Sequence, residues 1–233
     1  MPSTVTDLLQ PSGLFPEGSV RWGDRVPTDR PGIYLVAIAD SPESNKPTLQ
    51  NAPISSTAIE ELLELRPELR VDQALPTAAD LKRRIAGFWL PDETVLYVGL
   101  AGTSLRNRVN QYYKTPLGAR KPHAGGWFLK LLSNLQSLHV HFAETTDPPG
   151  AENAALRTFC SNVTPSTKRN LLDPEHPFPF ANLEWPHGVR KNHGITGAKE
   201  QRTPRSTTAR SRPVVPSPAT QGGTPVRTPP FRR

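Results

Sequence analysis

The sequence predicts a small α+β domain built on a three-stranded sheet, and three observations carry that expectation. Two continuous apolar runs, Pro31-Gly-Ile-Tyr-Leu-Val-Ala-Ile38 and Val95-Leu-Tyr-Val-Gly-Leu100, have the length and composition of buried strands. Ser137-Leu-His-Val-His-Phe-Ala143 alternates apolar with polar, which places Leu138, Val140 and Phe142 on an inward face. Between and beyond these runs, apolar residues recur at helical spacing.

In chain order, residues 1–29 are polar and punctuated by Pro and Gly, so they read as an irregular lead-in. Gly32–Ala39 is the first strand. A Ser/Asn/Pro-rich loop over 40–53 opens an insert spanning about 40–92. Within the insert, Ser56-Thr-Ala-Ile-Glu-Glu-Leu-Leu-Glu-Leu65 carries a capping hydroxyl with Glu behind it, and Ala78–Trp89 is a second helix closed by Pro91. Thr94–Leu100 is the second strand, with Gly99 free to turn sharply. Thr103 or Ser104 caps a helix over Leu105–Tyr113 with Leu105, Val109 and Tyr112 on its apolar face. Trp127–Leu132 reads as a further helix, and Pro148-Pro-Gly leads into a last one from about Ala151 to Ser161.

Charge divides the chain. Its 233 residues hold 28 Lys/Arg and 21 Asp/Glu. Eight of the cations and only Glu200 among the acids fall in 196–233, so residues 1–195 balance at twenty of each. Rich in Pro, Ser and Thr with Phe231 as its one aromatic, the 196–233 segment lacks the apolar surface to offset chain entropy, and we expect a disordered basic tail. It has two readings, a polyanion tether or a solubilising extension. Cys160, the one cysteine, excludes an internal disulfide and a cysteine-rich zinc site, and on an apolar helix face it reads as a buried thiol. No basic segment followed by an apolar stretch opens the chain and no run is long enough to span a bilayer, which predicts a cytoplasmic protein with no membrane partner.

Five polar residues then stand in a telling order: Tyr34 in Gly32-Ile-Tyr34, Tyr97 in Tyr97-Val-Gly99, Arg108 on the following helix, Glu152 on a later helix, and Asn182 in Pro179-Phe-Ala-Asn182. Taken singly, a strand tyrosine is most often a packed aromatic, and one helical Arg or Glu a solvated face. Taken together, they resemble the GIY-YIG nuclease superfamily over roughly residues 30–195. The run Tyr97–Tyr112 is locally similar to the nuclease domain of the bacterial excinuclease incision subunit, and the loop histidine His123 to a feature of GIY-YIG restriction enzymes.

The resemblance implies a three-stranded antiparallel sheet flanked by helices and a metal-dependent endonuclease acting on DNA, with RNA open. It implies one Mg2+ or Mn2+ held by Glu152, Arg108 on the scissile phosphate, and a tyrosine general base, Tyr97 in preference to Tyr34. Tyr112, four residues after Arg108, can share its helix face or belong to the apolar one. His123 stands in for the cation missing at Leu100, or is a plain loop residue. Asn182 competes with Asn170 as the motif asparagine. Arg106, Arg108, Arg190 and Lys191 are candidate nucleic-acid contacts, although the aromatic segment 179–195 can equally pack on the domain. A single such domain makes one cut, so double-strand cleavage calls for a homodimer or two visits. Residues 35–96 separate the two tyrosine motifs, a distance that an insert at a hairpin tip accommodates. The rival function is a non-catalytic nucleic-acid-binding or adaptor protein on the same scaffold.

Overall fold

Alternation of apolar runs with capped amphipathic segments produces, in chain order, α1 (Val5–Leu9), β1 (Gly18–Arg21), β2 (Gly32–Ala37), α2 (Ser56–Leu65), β3 (Arg70–Val71), α3 (Ala78–Ala86), β4 (Val95–Ala101), α4 (Leu105–Lys114), β5 (His139–Glu144), α5 (Pro148–Asn162), α6 (Pro165–Asn170) and β6 (Ile195–Thr196). The computed structural model describes residues 3–123, 125–185 and 188–200. Four strands form an antiparallel sheet in the order β1-β5-β2-β4, and β3 pairs with β6 as a separate two-stranded ribbon.

The lead-in is therefore not irregular. Thr4 and Asp7 close a capping box on α1, whose Val5, Leu8 and Leu9 are buried, and β1 adds a fourth strand to the expected three. Both elements are too short to show a period in the sequence. The predicted helix at Trp127 is a 3-10 turn over Trp127–Leu131, and α3 stops at Ala86, where Gly87 caps it, rather than at Trp89.

Every residue of β2 is buried because the sheet is covered on both sides. Ile33, Leu35 and Ala37, with Val98 and Ala143 beside them, pack on α1 and α5 through Leu8, Leu9, Ala155, Leu156 and Phe159. Tyr34 and Val36, with Val140 and Phe142, face the opposite layer through Leu62, Ile85, Val109 and Tyr112. That double burial explains why the strand reads as an unbroken apolar run. Each large side chain so enclosed contributes roughly 1.5–3 kcal/mol of transfer free energy.

One irregularity matters for the site. Val36 pairs with Tyr97 and Ala37 with Val95, so Leu96 is left over as a bulge. Leu96 and Tyr97 consequently face the same core, which strict alternation forbids.

The insert folds onto the Tyr34 side of the sheet. Ser55 caps α2, Thr77 and Asp80 form a capping box on α3, and Trp89 donates its indole N–H to Leu49 O at 2.6 Å. In the ribbon, Arg70 pairs with Thr196 and Val71 with Ile195, tying the C-terminal segment to the insert. Folded structure runs past the boundary expected at residue 195. Ala198 is buried, and the Glu200 N–H donates to Gly118 O at 3.0 Å. The rest of the expected basic tail, from 201 onward, lies outside the described residues. No helix among the described residues is long and apolar enough to cross a membrane.

His141, on β5, is fully buried, donates from Nε2 to Ala39 O at 2.9 Å and leaves Nδ1 without a partner. Burial holds its pKa below the ordinary 6.5. The unfolded chain then takes up the proton first, so stability declines as pH falls from about 6.5. We expect His141→Gln to lose less stability than the parent between pH 7 and pH 5 in chemical denaturation. An equal loss in both chains removes His141 as the cause.

Candidate active site

The central strand pair aims the two motif tyrosines at each other. Tyr34 lies directly opposite Gly99, and a Cβ at Gly99 would come within 2.7 Å of Tyr97 Cε1 and 2.8 Å of the Tyr34 hydroxyl. The absent side chain leaves room for both rings, whose centroids are 5.9 Å apart. Tyr97 also leans on Tyr112 at 5.4 Å, and Tyr112 stacks flat on His123 at 4.1 Å and 3°. The Tyr34 hydroxyl pairs with His123 Nε2 at 3.1 Å, and the Tyr112 hydroxyl donates to Gly126 O. Gly126 adopts φ +62°, and a side chain there would strike the Tyr112 hydroxyl.

These groups differ in how readily they ionise. Burial raises Tyr34 and Tyr112 well above the ordinary tyrosine value. Tyr97 is pushed up to about 12 by burial and by the neighbouring Glu152, while a hydrogen bond from Tyr34 and the charge of Arg108 draw it back. Of the three, Tyr97 loses its proton first. It is also the one with an opening to solvent, at 8% exposure against 1% for Tyr34. Burial, Arg108 and Lys130 lower His123 to about 3, so its ring is neutral at physiological pH and is no substitute cation.

Arg108 projects from α4, whose first turn is fixed by the Ser104 side chain accepting from Asn107 N–H. Tyr34, Tyr97, His123 and Glu152 all feel its charge. Among the described residues, no ion pair or hydrogen bond engages the Arg108 guanidinium or the Glu152 carboxylate. Glu152 stands on α5, in the layer opposite Tyr97, yet both line one cleft of about 180 Å³ together with Gly126, Asn182, Glu184 and Lys199. They can meet because β4 is the outermost strand, so a side chain from α5 reaches round its edge. Burial raises Glu152 to about 7, against the pull of Arg108. Among the described residues, no three His, Cys, Asp or Glu side chains converge into a metal cage. The donor set suits a hard cation that keeps its waters and takes one protein carboxylate.

Other expected site residues have their side chains engaged in the fold or lie apart from the cleft. Asn182 does not open its amide to the cleft: Oδ1 accepts from Val98 N–H and Nδ2 donates to Val98 O, both at 2.8 Å. Asn170 is exposed at the end of α6. Tyr112 belongs to the buried face of α4 with Leu105 and Val109. Arg106 is occupied by Asp29 and by the carbonyls of Val26 and Pro27, so it ties the chain before β2 to α4. Lys191 is 3% exposed and donates to Pro179 O and Phe180 O at 3.1 and 3.0 Å. It is a buried structural lysine, lowered by burial to about 7. Arg190 is exposed and pairs with Glu184 at 3.4 Å. The sequence reading missed Lys199 and Glu184 at the cleft: Lys199 follows β6, a strand two residues long, and Glu184 follows Asn182 on the segment that runs along β4.

Comparison with models of known protein families, with curated proteins and with solved structures finds no match to this chain.

Glu152 has a folded value near 7 against 4.5 for an ordinary glutamate, so its contribution to stability is complete below pH 4.5 and is lost as pH rises through 7. Without metal, Glu152→Gln should therefore unfold later than the parent at pH 8, by on the order of 2 kcal/mol, and equally at pH 4. Denaturant titration in chelator measures this. Matching midpoints at pH 8 would show that the carboxylate bears no burial cost.

Proposed function

We propose that the chain is a metal-dependent endonuclease of the GIY-YIG type, hydrolysing phosphodiester bonds of DNA with Tyr97 as general base. One observation carries the reading: a carboxylate with no direct ion-pair partner among the described residues and the most acidic tyrosine of a buried cluster line one cleft, and the charge of Arg108 acts on both. Perturbed groups facing one cavity are where chemistry is expected.

In this mechanism Arg108 holds the nonbridging oxygens of the scissile phosphate with a two-pronged, permanently charged donor. Tyr97, as phenolate, takes a proton from the attacking water while that oxygen bonds to phosphorus. The bond to the 3′ oxygen breaks, leaving a 5′-phosphate and, after protonation from solvent, a 3′-hydroxyl. Tyr34 stays protonated and donates to the Tyr97 oxygen, which favours the phenolate. Glu152 would hold the Mg2+ or Mn2+, which when bound supplies charge relief on the phosphoryl group and the departing alkoxide. One chain offers one such centre, so cutting both strands of a duplex takes a homodimer or two encounters.

A second reading, binding or adaptor function without catalysis, is favoured by the charge balance of residues 1–195, because a nuclease ordinarily presents a basic face. Plasmid nicking separates the two. The parent should nick supercoiled DNA with Mg2+ or Mn2+, and Glu152→Ala should not. Equal nicking by both, or none with either metal, excludes the enzyme. Because Tyr97 acts deprotonated and lies far above neutrality, the rate at saturating metal should rise close to tenfold per pH unit from 7 to 9. Tyr97→Phe should abolish that slope. The metal concentration giving half-maximal rate should fall between pH 6 and 8 as Glu152 loses its proton. A flat profile in the parent would remove Tyr97 from the base role.

A further inference from the structure

The cleft at Tyr97 and Glu152 continues beyond the reacting groups. Arg108 lines a separate depression of about 280 Å³ with Thr103, Ser104, Asn107 and Gln111. The cleft itself adjoins a trough of about 300 Å³ that shares Leu183, Glu184 and Lys199 with it and extends to Trp127, His193 and Arg190. Arg108 lines the first depression and acts on Tyr97 and Glu152, while Lys199 belongs to both the cleft and the trough. Cleft and trough thus adjoin through shared walls, with Lys199 where they join.

Lys199 is placed there by the ribbon. Thr196 pairs with Arg70, Gly197 turns with φ +72° against the Glu68 backbone, and Ala198 is buried, which leaves the next side chain at the trough. Glu152 and Glu184 share the cleft wall with it. Glu184 is the one carboxylate that favours its ammonium, whereas Arg190 and Arg120 oppose it, and Arg190 already occupies Glu184. Among the described residues, no hydrogen bond or ion pair engages the Lys199 ammonium. His193, beside it, is held near 4 by burial and by Lys191, Lys199, Arg190 and Arg84, so it stays neutral and offers no anion. A half-buried lysine among like charges is relieved by an anion brought from outside.

We infer that Lys199 binds a backbone phosphate neighbouring the scissile one, and that the trough beyond it carries the polynucleotide away from the cut over the ribbon. This rests on the nuclease reading for its position relative to the scissile bond, but not for its affinity. A polynucleotide is the occupant these cations favour, because it carries several phosphates on one chain, one for Arg108, whose charge acts on Tyr97 and Glu152, and another for Lys199 in the cleft wall. The side chains facing the trough also include Trp127, with little apolar surface of a kind that a peptide would need.

The test uses the full chain carrying Glu152→Gln, in chelator, so that nothing is cut. Binding of a fluorescein-labelled 20-nucleotide DNA, single-stranded and duplex, is followed by anisotropy from 50 to 250 mM KCl. We expect Lys199→Ala to weaken binding about five- to tenfold at 100 mM KCl and to reduce the slope of log affinity on log salt by about one. Lys199→Arg should stay within twofold of the parent. Lys199→Gln serves as second variant if the alanine form melts early. Parental affinity and slope in both neutral variants would overturn the inference. The parent's nicking activity separates this from the wider reading: cutting with Lys199-independent binding refutes only the trough, and Lys199-dependent binding without cutting refutes only the nuclease.

Discussion

The outer edge of β4 is the constraint on which the site depends. β4 is flanked by β2 on one side only, which would leave the backbone groups of Leu96 and Val98 open. The chain returning after α6 closes that edge, with the Ala181 N–H donating to Leu96 O at 2.8 Å and the Asn182 amide satisfying both polar groups of Val98. An asparagine side chain can do this because its carbonyl and amino groups reproduce the donor and acceptor of a strand residue. Leu96 is the bulge that turns Tyr97 toward Tyr34, and Val98 is the residue after Tyr97. The clamp therefore fixes the stretch of backbone that sets the direction of the candidate base. It does so with one side chain instead of a full strand, which leaves the edge low enough for Glu152 to pass round it from the other layer.

Buried charge in this protein falls into two kinds. Lys191 and Arg106 are satisfied, the first by two carbonyls with the Phe88 ring beneath it at 5.6 Å, the second by Asp29 and two carbonyls. Asp173 likewise accepts from the Asn192 N–H and pairs with His176. Such groups hold loops in place. Glu152, Arg108 and Lys199 are half-buried and make no described ion pair or hydrogen bond, with Glu152 and Lys199 in one cleft and the charge of Arg108 acting on Glu152. A charge removed from water with nothing to replace the lost hydration costs folding free energy. Such an arrangement makes sense where a ligand of opposite sign supplies the compensation, and stability is commonly exchanged for function in this way.

The sequence made the sheet centre and the helices legible because double burial and helical periodicity are strong local signals. β2, β4, α2, α4 and α5 all fall where apolar spacing puts them, and Leu105, Val109 and Tyr112 are the buried face of α4. The short elements were illegible: α1 spans five residues, and β3 and β6 two each, too few for any period to emerge. The roles of cations were also hidden. Arg190 and Lys191 are adjacent in sequence, yet one is exposed and the other buried, because Lys191 meets the carbonyls of a turn that no local pattern announces. Lys199 was grouped with the tail by composition, and only long-range pairing of Ile195 with Val71 brings it back to the domain. Arg108 acts on Tyr34, Tyr97 and Glu152, three residues far apart in the chain.

Residues 38–94 interrupt what would otherwise be a tight β2–β4 hairpin. Closing a chain segment that long costs about 2 kcal/mol more entropy than closing a short turn, a modest burden on the finished molecule. Its weight falls on the route to the native state. The central pair of strands cannot zip from a nearby turn and must find each other across a distance, which raises contact order and slows assembly. The insert shortens that search if α2 and α3 form early, since a collapsed helical pair draws the two strand ends together. The order of events would then be inverted relative to an ordinary hairpin protein, with the peripheral helices nucleating and the central strand pair closing last.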